Sequence, residues 1–296
     1  MTENDLPATG LGRRSLLGAA LGVGALALAS CTTEPQLPVA SSSGPAPGPS
    51  ASSTPQPLGR QAAIDRFASR PAGDFGLEVT GVQLGLPDGA RGAALTFDAC
   101  GGGKGNGYDG ELLDTLRRHR APATLFLNQR WARANPTLVT ELAADPLFEI
   151  ANHGSTHQPL ASRGQSAYGI PGTGSIAEAY DEVMENQRYL AGEFGIQARF
   201  FRCGTAHMDE LCAQLTRALG LVPMNFTVNL DAGATFPAGT VATQVRSMGA
   251  GDVGIGHFNQ PDGHTGEGMA AGLPRLLESL QEQELALLRL SDVRKA

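Results

Sequence analysis

The chain has 296 residues, room for one large domain or two small ones once non-folding segments are set aside. Asp and Glu total 29 against 22 Lys and Arg, a formal net charge of −7, which leaves no basic stripe to grip nucleic acid or anionic lipid. Aromatic residues make up only 5%, so a sugar-stacking platform must come from a few rings: Tyr108, Tyr168, Phe258 or Trp131.

In chain order, Arg13-Arg14-Ser15-Leu16-Leu17 opens a short apolar stretch that runs to Ala29. A charged start followed by a modest hydrophobic segment has the form of a twin-arginine export signal over residues 1–30. The stretch is too brief and too rich in Gly and Ala for a membrane span, which needs about 20 strongly apolar residues. It ends in Leu28-Ala29-Ser30-Cys31, which resembles a bacterial lipobox. That resemblance implies that Cys31 becomes the lipidated N-terminus; the alternative is an ordinary cleavage site near Cys31. Residues 31–57 are almost entirely Ser, Pro, Ala, Gly, Thr and Gln, a composition that cannot bury enough apolar surface to offset ordering entropy. The expectation is an exported lipoprotein, anchored to the membrane through Cys31, with its domain on the extracytoplasmic side. Outside the cytoplasm a pair among Cys100, Cys203 and Cys212 would tend to oxidise, with Cys100–Cys203 and Cys203–Cys212 as alternatives.

Residues 58–90 read as an N-terminal extension, with 77–84 as a small covering strand, ahead of a catalytic domain over 91–296. From residue 90 onward short β runs alternate with helical stretches, the mark of parallel α/β architecture. The predicted strands are 92–97, 123–127, 147–151, 198–201, 221–228, 253–256 and 286–290. Between them, Asp109 caps a helix carrying Leu112, Leu113 and Leu116, and Asn135-Pro136 starts the next with proline at its first position. Ser175-Ile176-Ala177-Glu178 is a capping box before a long helix to about Phe194. Asp209 and Thr240 open two more, and 267–283 is the last. Seven strands with six intervening helices suit a closed or nearly closed β/α barrel, with an open doubly wound sheet as the alternative.

Barrels of this kind gather functional side chains at the carboxyl ends of their strands. There the sequence places Asp98, then His153 with His157, then Arg202, Asp231 and His257. His153 and His157 stand at i and i+4, a spacing that lets two imidazoles converge on one metal ion. The run Gly101-Gly102-Gly103-Lys104-Gly105 lacks the Gly-Lys-Ser/Thr ending of a phosphate loop and reads as a close-approach loop beside Asp98.

Five ordered segments give the chain, over roughly Gly92 to Val293, a resemblance to the polysaccharide deacetylases, the NodB-homology carbohydrate esterases. Leu95–Gly103 (LTFDACGGG) matches part of the family's Thr-Phe-Asp-Asp-Gly motif, and Asn152–Pro159 (NHGSTHQP) matches its His-Ser/Thr-x-x-His motif. Phe200–His207 (FFRCGTAH) keeps Arg202 and Gly204 of the arginine motif, and Asn229–Gly233 (NLDAG) supplies the Asp of the fourth. Gly254–Leu280 fits the final histidine stretch and its helix. The resemblance implies a distorted (β/α)7-type barrel and a metal-dependent deacetylase acting on an acetylated polysaccharide, peptidoglycan or a surface glycan, as a monomer. It implies a divalent metal, zinc first, at His153 and His157, with Asp98 as general base held by Arg202, and His257 as general acid supported by Asp231. The family's second Asp, a metal ligand, is Ala99 here. Asp98, His207 and Cys100 are the candidates for the third ligand, with Asp98 placed first. A non-catalytic carbohydrate-binding lipoprotein on the same fold, or a hydrolase of another amide or ester, are the alternatives.

Overall fold

The computed structural model describes residues 58–103 and 105–293; the expected export signal over 1–30, Cys31, the expected tether over 31–57 and Lys104 lie outside them. In chain order the elements are α1 (Arg60–Phe67), β1 (Phe75–Gly76), β2 (Gly92–Ala99), α2 (Gly110–Arg118), β3 (Ala123–Leu127), α3 (Gln129–Ala134), α4 (Pro136–Ala144), β4 (Phe148–Asn152), α5 (Ile176–Phe194), β5 (Phe200–Phe201), β6 (Met208–Asp209), α6 (Glu210–Ala218), β7 (Val222–Pro223), β8 (Val228–Asn229), α7 (Ala238–Ser247), β9 (Val253–His257), α8 (Thr265–Glu282) and β10 (Ala286–Leu287). The helices start where local chemistry predicts. Asp109 accepts from Leu112 N, Asp209 from Cys212 N, and Ser175 from Glu178 N, each satisfying an amide that has no partner within its helix.

Parallel strands lie in the order β7-β5-β4-β3-β2-β9-β8, and β10 adds to the base of β2 at Gly92 and Ala93. Laid flat at about 4.8 Å per strand, such a sheet would hold its edges ~29 Å apart. Yet the chain passes from edge strand β7 to edge strand β8 through residues 224–227 alone, a reach of at most about 18 Å fully extended. The sheet therefore curls until its edges approach, as the barrel expectation requires. The seam is crossed by the extension: Asn225 N donates to Gln83 O, Gln83 N to Pro223 O, and Leu86 N to Gly251 O. The covering strand expected at 77–84 is reduced to a single bridge, Gln83 with Met224.

The strand expected at 221–228 is in fact two. Its run is mostly apolar, but Met224–Thr227 carries the chain across the seam, and buried Asn225 ties it there by donating to Leu77 O and Ala206 O. Helix α1, in a segment given no helix from sequence, packs Ala63 and Phe67 into a cluster with α5 and α6. Inside the curl, Leu86, Ala94, Phe126, Ala151, Phe200, Met224, Val253 and Leu290 fill the base of the barrel. Functional groups have space only above that plug, at the carboxyl ends of the strands.

Candidate active site

Successive strand residues face opposite sides of a sheet, and this alternation delivers the site. On β2, Leu95, Phe97 and Ala99 pack outward among the helices, while Ala94 joins the barrel plug and Thr96 and Asp98 rise above it toward Arg202. On β9 the inward series is Val253, Ile255 and His257, and His257 is the direct register partner of Asp98. Inward Ala151 of β4 leads two residues on to His153, and inward Phe200 of β5 leads to Arg202. All six residues expected at the strand ends are brought to one mouth: Asp98, His153, His157, Arg202, Asp231 and His257.

Arg202 is fully buried and spends its donors on four acceptors. Nη1 donates to Asp98 Oδ1 at 2.7 Å, Nη2 to Thr96 Oγ1 at 3.0 Å and Asn225 O at 2.9 Å, and Nε to Met224 O at 3.2 Å. Its guanidinium lies 4.1 Å from the Phe126 ring centre. Burial alone would raise the Asp98 carboxyl, but Arg202, His153 and His257 outweigh it and hold Asp98 below its ordinary value. Asp98 Oδ2 is not taken by Arg202 and lies 3.7 Å from His153 Nε2.

Across the mouth, Asp231 is buried and multiply bound. Its Oδ1 accepts from His257 Nδ1 at 2.9 Å, and its Oδ2 from His257 N at 2.6 Å and Thr265 Oγ1 at 2.8 Å. Burial opposes charge on His257, yet Asp231 more than offsets it and sets the imidazole well above its ordinary value. Nδ1 therefore holds its proton toward Asp231, and Nε2 is left to act in the cavity.

Between these pairs lie the histidines. His153 Nδ1 is 2.8 Å from Arg202 O; a carbonyl only accepts, so Nδ1 carries a proton, and the neutral ring presents its lone pair at Nε2. The His153 and His157 rings stand 5.0 Å apart at 80°. Cys100, His153 and His157 each offer a ligand atom within 4.8 Å of the other two. Thiolate and imidazole are donors that a divalent ion of zinc's softness accepts, so these residues fit one. Asp98, expected to serve as ligand as well as base, is not one of those three: Arg202 binds its Oδ1, and its Oδ2 stands 3.7 Å from His153 Nε2. His207 is also outside: its Nδ1 bonds Thr205 O and its ring packs against Phe75 and Tyr168. Cys100, Cys203 and Cys212 are free thiols, so neither expected disulfide forms; burial pushes Cys203 up to about 12.

Sequence reasoning passed over Glu182. This buried α5 carboxylate accepts from Thr156 N, Thr156 Oγ1, His157 N and Gln158 N, wrapping the loop that carries the second histidine. His157 sits at φ +66°, a left-handed conformation that needs such support. Two glycines make room: a Cβ on Gly154 would strike the Glu182 carboxylate, and one on Gly204 would strike His157 O. The signal was present in the α5 pattern, where Glu182 and Asn186 interrupt the buried stripe of Ala179, Val183 and Leu190.

A cavity of ≈ 500 Å³ opens over the site, lined by Asp98, Cys100, His157, Tyr168, His257 and Asn259 among others. Tyr168, 79% exposed, is the rim ring able to stack on a sugar; Trp131 and Phe258, expected as platforms, are buried against each other edge to face. Tyr108 is 47% exposed but does not line the cavity.

Residues 86–224 match the family model described as polysaccharide deacetylase. A chitooligosaccharide deacetylase of Sinorhizobium fredii is 38% identical over 77 residues, 26% of this chain and 34% of that protein. The matches span 27% to 42% of the length of the first curated relatives. Among solved structures, a family 4 carbohydrate esterase of Bacillus subtilis aligns with a TM-score of 0.56 at 19% identity, covering 80% of this chain and 91% of that one. A CE4 family pseudoenzyme of Bacillus anthracis aligns at 0.57 and 18%, covering 71% and 67%. At these identities the structures establish a shared fold.

Proposed function

We propose, on the match of residues 86–224 to the polysaccharide deacetylase family model, that this chain is a metal-dependent hydrolase removing acetyl groups from an N- or O-acetylated polysaccharide outside the cytoplasm. The observation that carries the reading is the pairing of two acid–base units, Asp98 with Arg202 and His257 with Asp231, across one cavity from His153 and His157. Asp98 accepts through Oδ2 the proton of the water that attacks the acetyl carbonyl. Arg202 fixes the carboxylate plane through Oδ1 and favours its charged form. His257 then delivers its Nε2 proton to the departing amine or alkoxide, and Asp231 stabilises the imidazolium until it does so. Positioned proton transfers of this kind contribute ~10²–10⁴-fold each. A divalent ion at the two histidines would polarise the acyl oxygen and activate water.

Peptidoglycan or a surface glycan is the substrate class that an exported lipoprotein anchored at Cys31 would meet, and exposed Tyr168 offers a stacking face for a sugar ring. The test is acetate release from acetylated glycans by the full chain, with and without a chelator, in wild type and Asp98→Asn. Wild type releases acetate only with metal, and Asp98→Asn releases none while keeping its zinc. One observation favours a second reading, a non-catalytic carbohydrate-binding protein: Ala99 stands where the family carries a carboxylate, and one neighbour in fold is a pseudoenzyme. Sugar binding without acetate release from any glycan would decide for it.

A further inference from the structure

We propose that Cys100 is the third protein ligand of the divalent ion, so that the site is a Cys–His–His centre in which the ligand lost at Ala99 has moved one residue along the chain. The inference rests on the metal-hydrolase reading above and adds to it the identity of the ligand set and the metals it prefers.

Strand alternation supplies the first argument. Leu95, Phe97 and Ala99 face the helix-side core, whereas Ala94, Thr96 and Asp98 face inward. Ala99 is fully buried in that core and is the register partner of Leu127 on β3. Position 100 has the inward parity, and Cys100 lines the cavity.

Distance supplies the second. Tetrahedral zinc with Zn–S of about 2.3 Å and Zn–N of about 2.05 Å holds its sulfur and nitrogen about 3.6 Å apart. Cys100 Sγ lies 3.6 Å from His153 Nε2, the nitrogen whose lone pair is free. The backbone that presents the thiol is pinned on both sides: Asn128 N donates to Ala99 O and Arg130 Nη2 to Cys100 O. The Asn128 side chain also donates to His153 O and Gly154 O, so one residue, through its backbone and its side chain, ties the cysteine strand to the histidine loop.

On binding, the thiol releases its proton to solvent and ligates as thiolate, with no change of oxidation state. Three protein ligands leave a fourth position open, the arrangement of a catalytic rather than a structural zinc site. Asp98 is then free of ligation and keeps a single task. A soft sulfur donor also biases the site toward zinc and cobalt and away from magnesium and manganese.

The experiment uses the full chain purified with reductant, loaded with Zn2+ for X-ray absorption and with Co2+ for optical spectroscopy. The expected result is one sulfur at about 2.3 Å with nitrogen and oxygen at about 2.0–2.2 Å, and a near-ultraviolet thiolate-to-cobalt band. Cys100→Ala loses both and binds zinc at least about tenfold more weakly. Cys100→Asp keeps the metal with an all-oxygen-and-nitrogen shell, and Cys31→Ser keeps the sulfur signal. A sulfur signal that survives in Cys100→Ala, or a wild-type shell without sulfur, overturns the assignment even if acetate is released. A shell with sulfur and no acetate release from any glycan upholds the ligand and refutes the deacetylase reading instead. Zinc bound no better than by the His153→Ala, His157→Ala double variant overturns the site itself.

Discussion

Replacing Arg202 by lysine keeps the charge and removes the fork, which isolates what the guanidinium geometry contributes. The native side chain makes four hydrogen bonds, to Asp98, Thr96, Asn225 and Met224, and its guanidinium carbon lies 4.1 Å from the Phe126 ring centre. An ammonium has three donors at one point and no planar face, so it cannot satisfy carbonyls and hydroxyl on separate elements. Losing one or two bonds at about 1 kcal/mol each, plus about 1 kcal/mol for the contact with Phe126, gives a cost of ~3 kcal/mol. For a domain of this size that lowers the melting midpoint by roughly 6–12 °C. Arg202→Met does more harm, about 3–5 kcal/mol, because the Asp98 charge is then buried without its partner. The assay is thermal denaturation by circular dichroism, run beside acetate release. The lysine variant also loses turnover, because the base is no longer held in plane. A lysine variant that melts within about 2 °C of wild type and turns over normally would refute the claim that the four-bonded Arg202 guanidinium organises this site.

Glu182→Gln replaces an acceptor-only group with one that also donates toward backbone amides, so the 156–158 loop relaxes; zinc affinity falls about 10–100-fold, measured by competition with a chromophoric chelator, while far-ultraviolet circular dichroism stays native. Asp231→Asn moves the alkaline limb of the pH–rate profile. Asp231 raises His257 well above its ordinary value, so the acid form persists below that point and is lost as pH rises through it; without the carboxylate the loss begins at lower pH, and an unmoved limb at full metal content would remove His257 from the acid role. Ala99→Asp, which restores the family's residue type, places a carboxylate in the helix-side core; it destabilises by about 1–3 kcal/mol or more in urea denaturation and leaves zinc affinity unimproved, whereas tighter zinc binding in a stable variant would refute the outward parity of position 99.

Most of the site was legible because strand ends are legible. Asp98, His153, Arg202 and His257 each follow an apolar run within a residue or two, and a parallel barrel turns that linear fact into a shared mouth. What stayed hidden depends on long-range geometry. Residues 221–228 read as one strand because an apolar stretch crossing a seam looks like one lying in a sheet. Trp131 and Phe258 read as open rings because sequence does not separate a buried aromatic from a stacking one. Glu182 disappeared into a capped helix whose buried stripe tolerates a carboxylate only because four donors from the 156–158 loop reach it. Ala99 is the instructive case. Against the family motif it reads as a missing ligand, and a missing ligand argues for a dead site. Along β2, however, position 99 belongs to the outward series with Leu95 and Phe97, and the next residue, of the inward series, carries a sulfur at ligand distance from His153. A motif counts residues, whereas a metal counts donors within reach; the two criteria diverge here by one position. The acid–base pairs either side of the cysteine are intact, which is what a relocated ligand, rather than a lost one, would preserve.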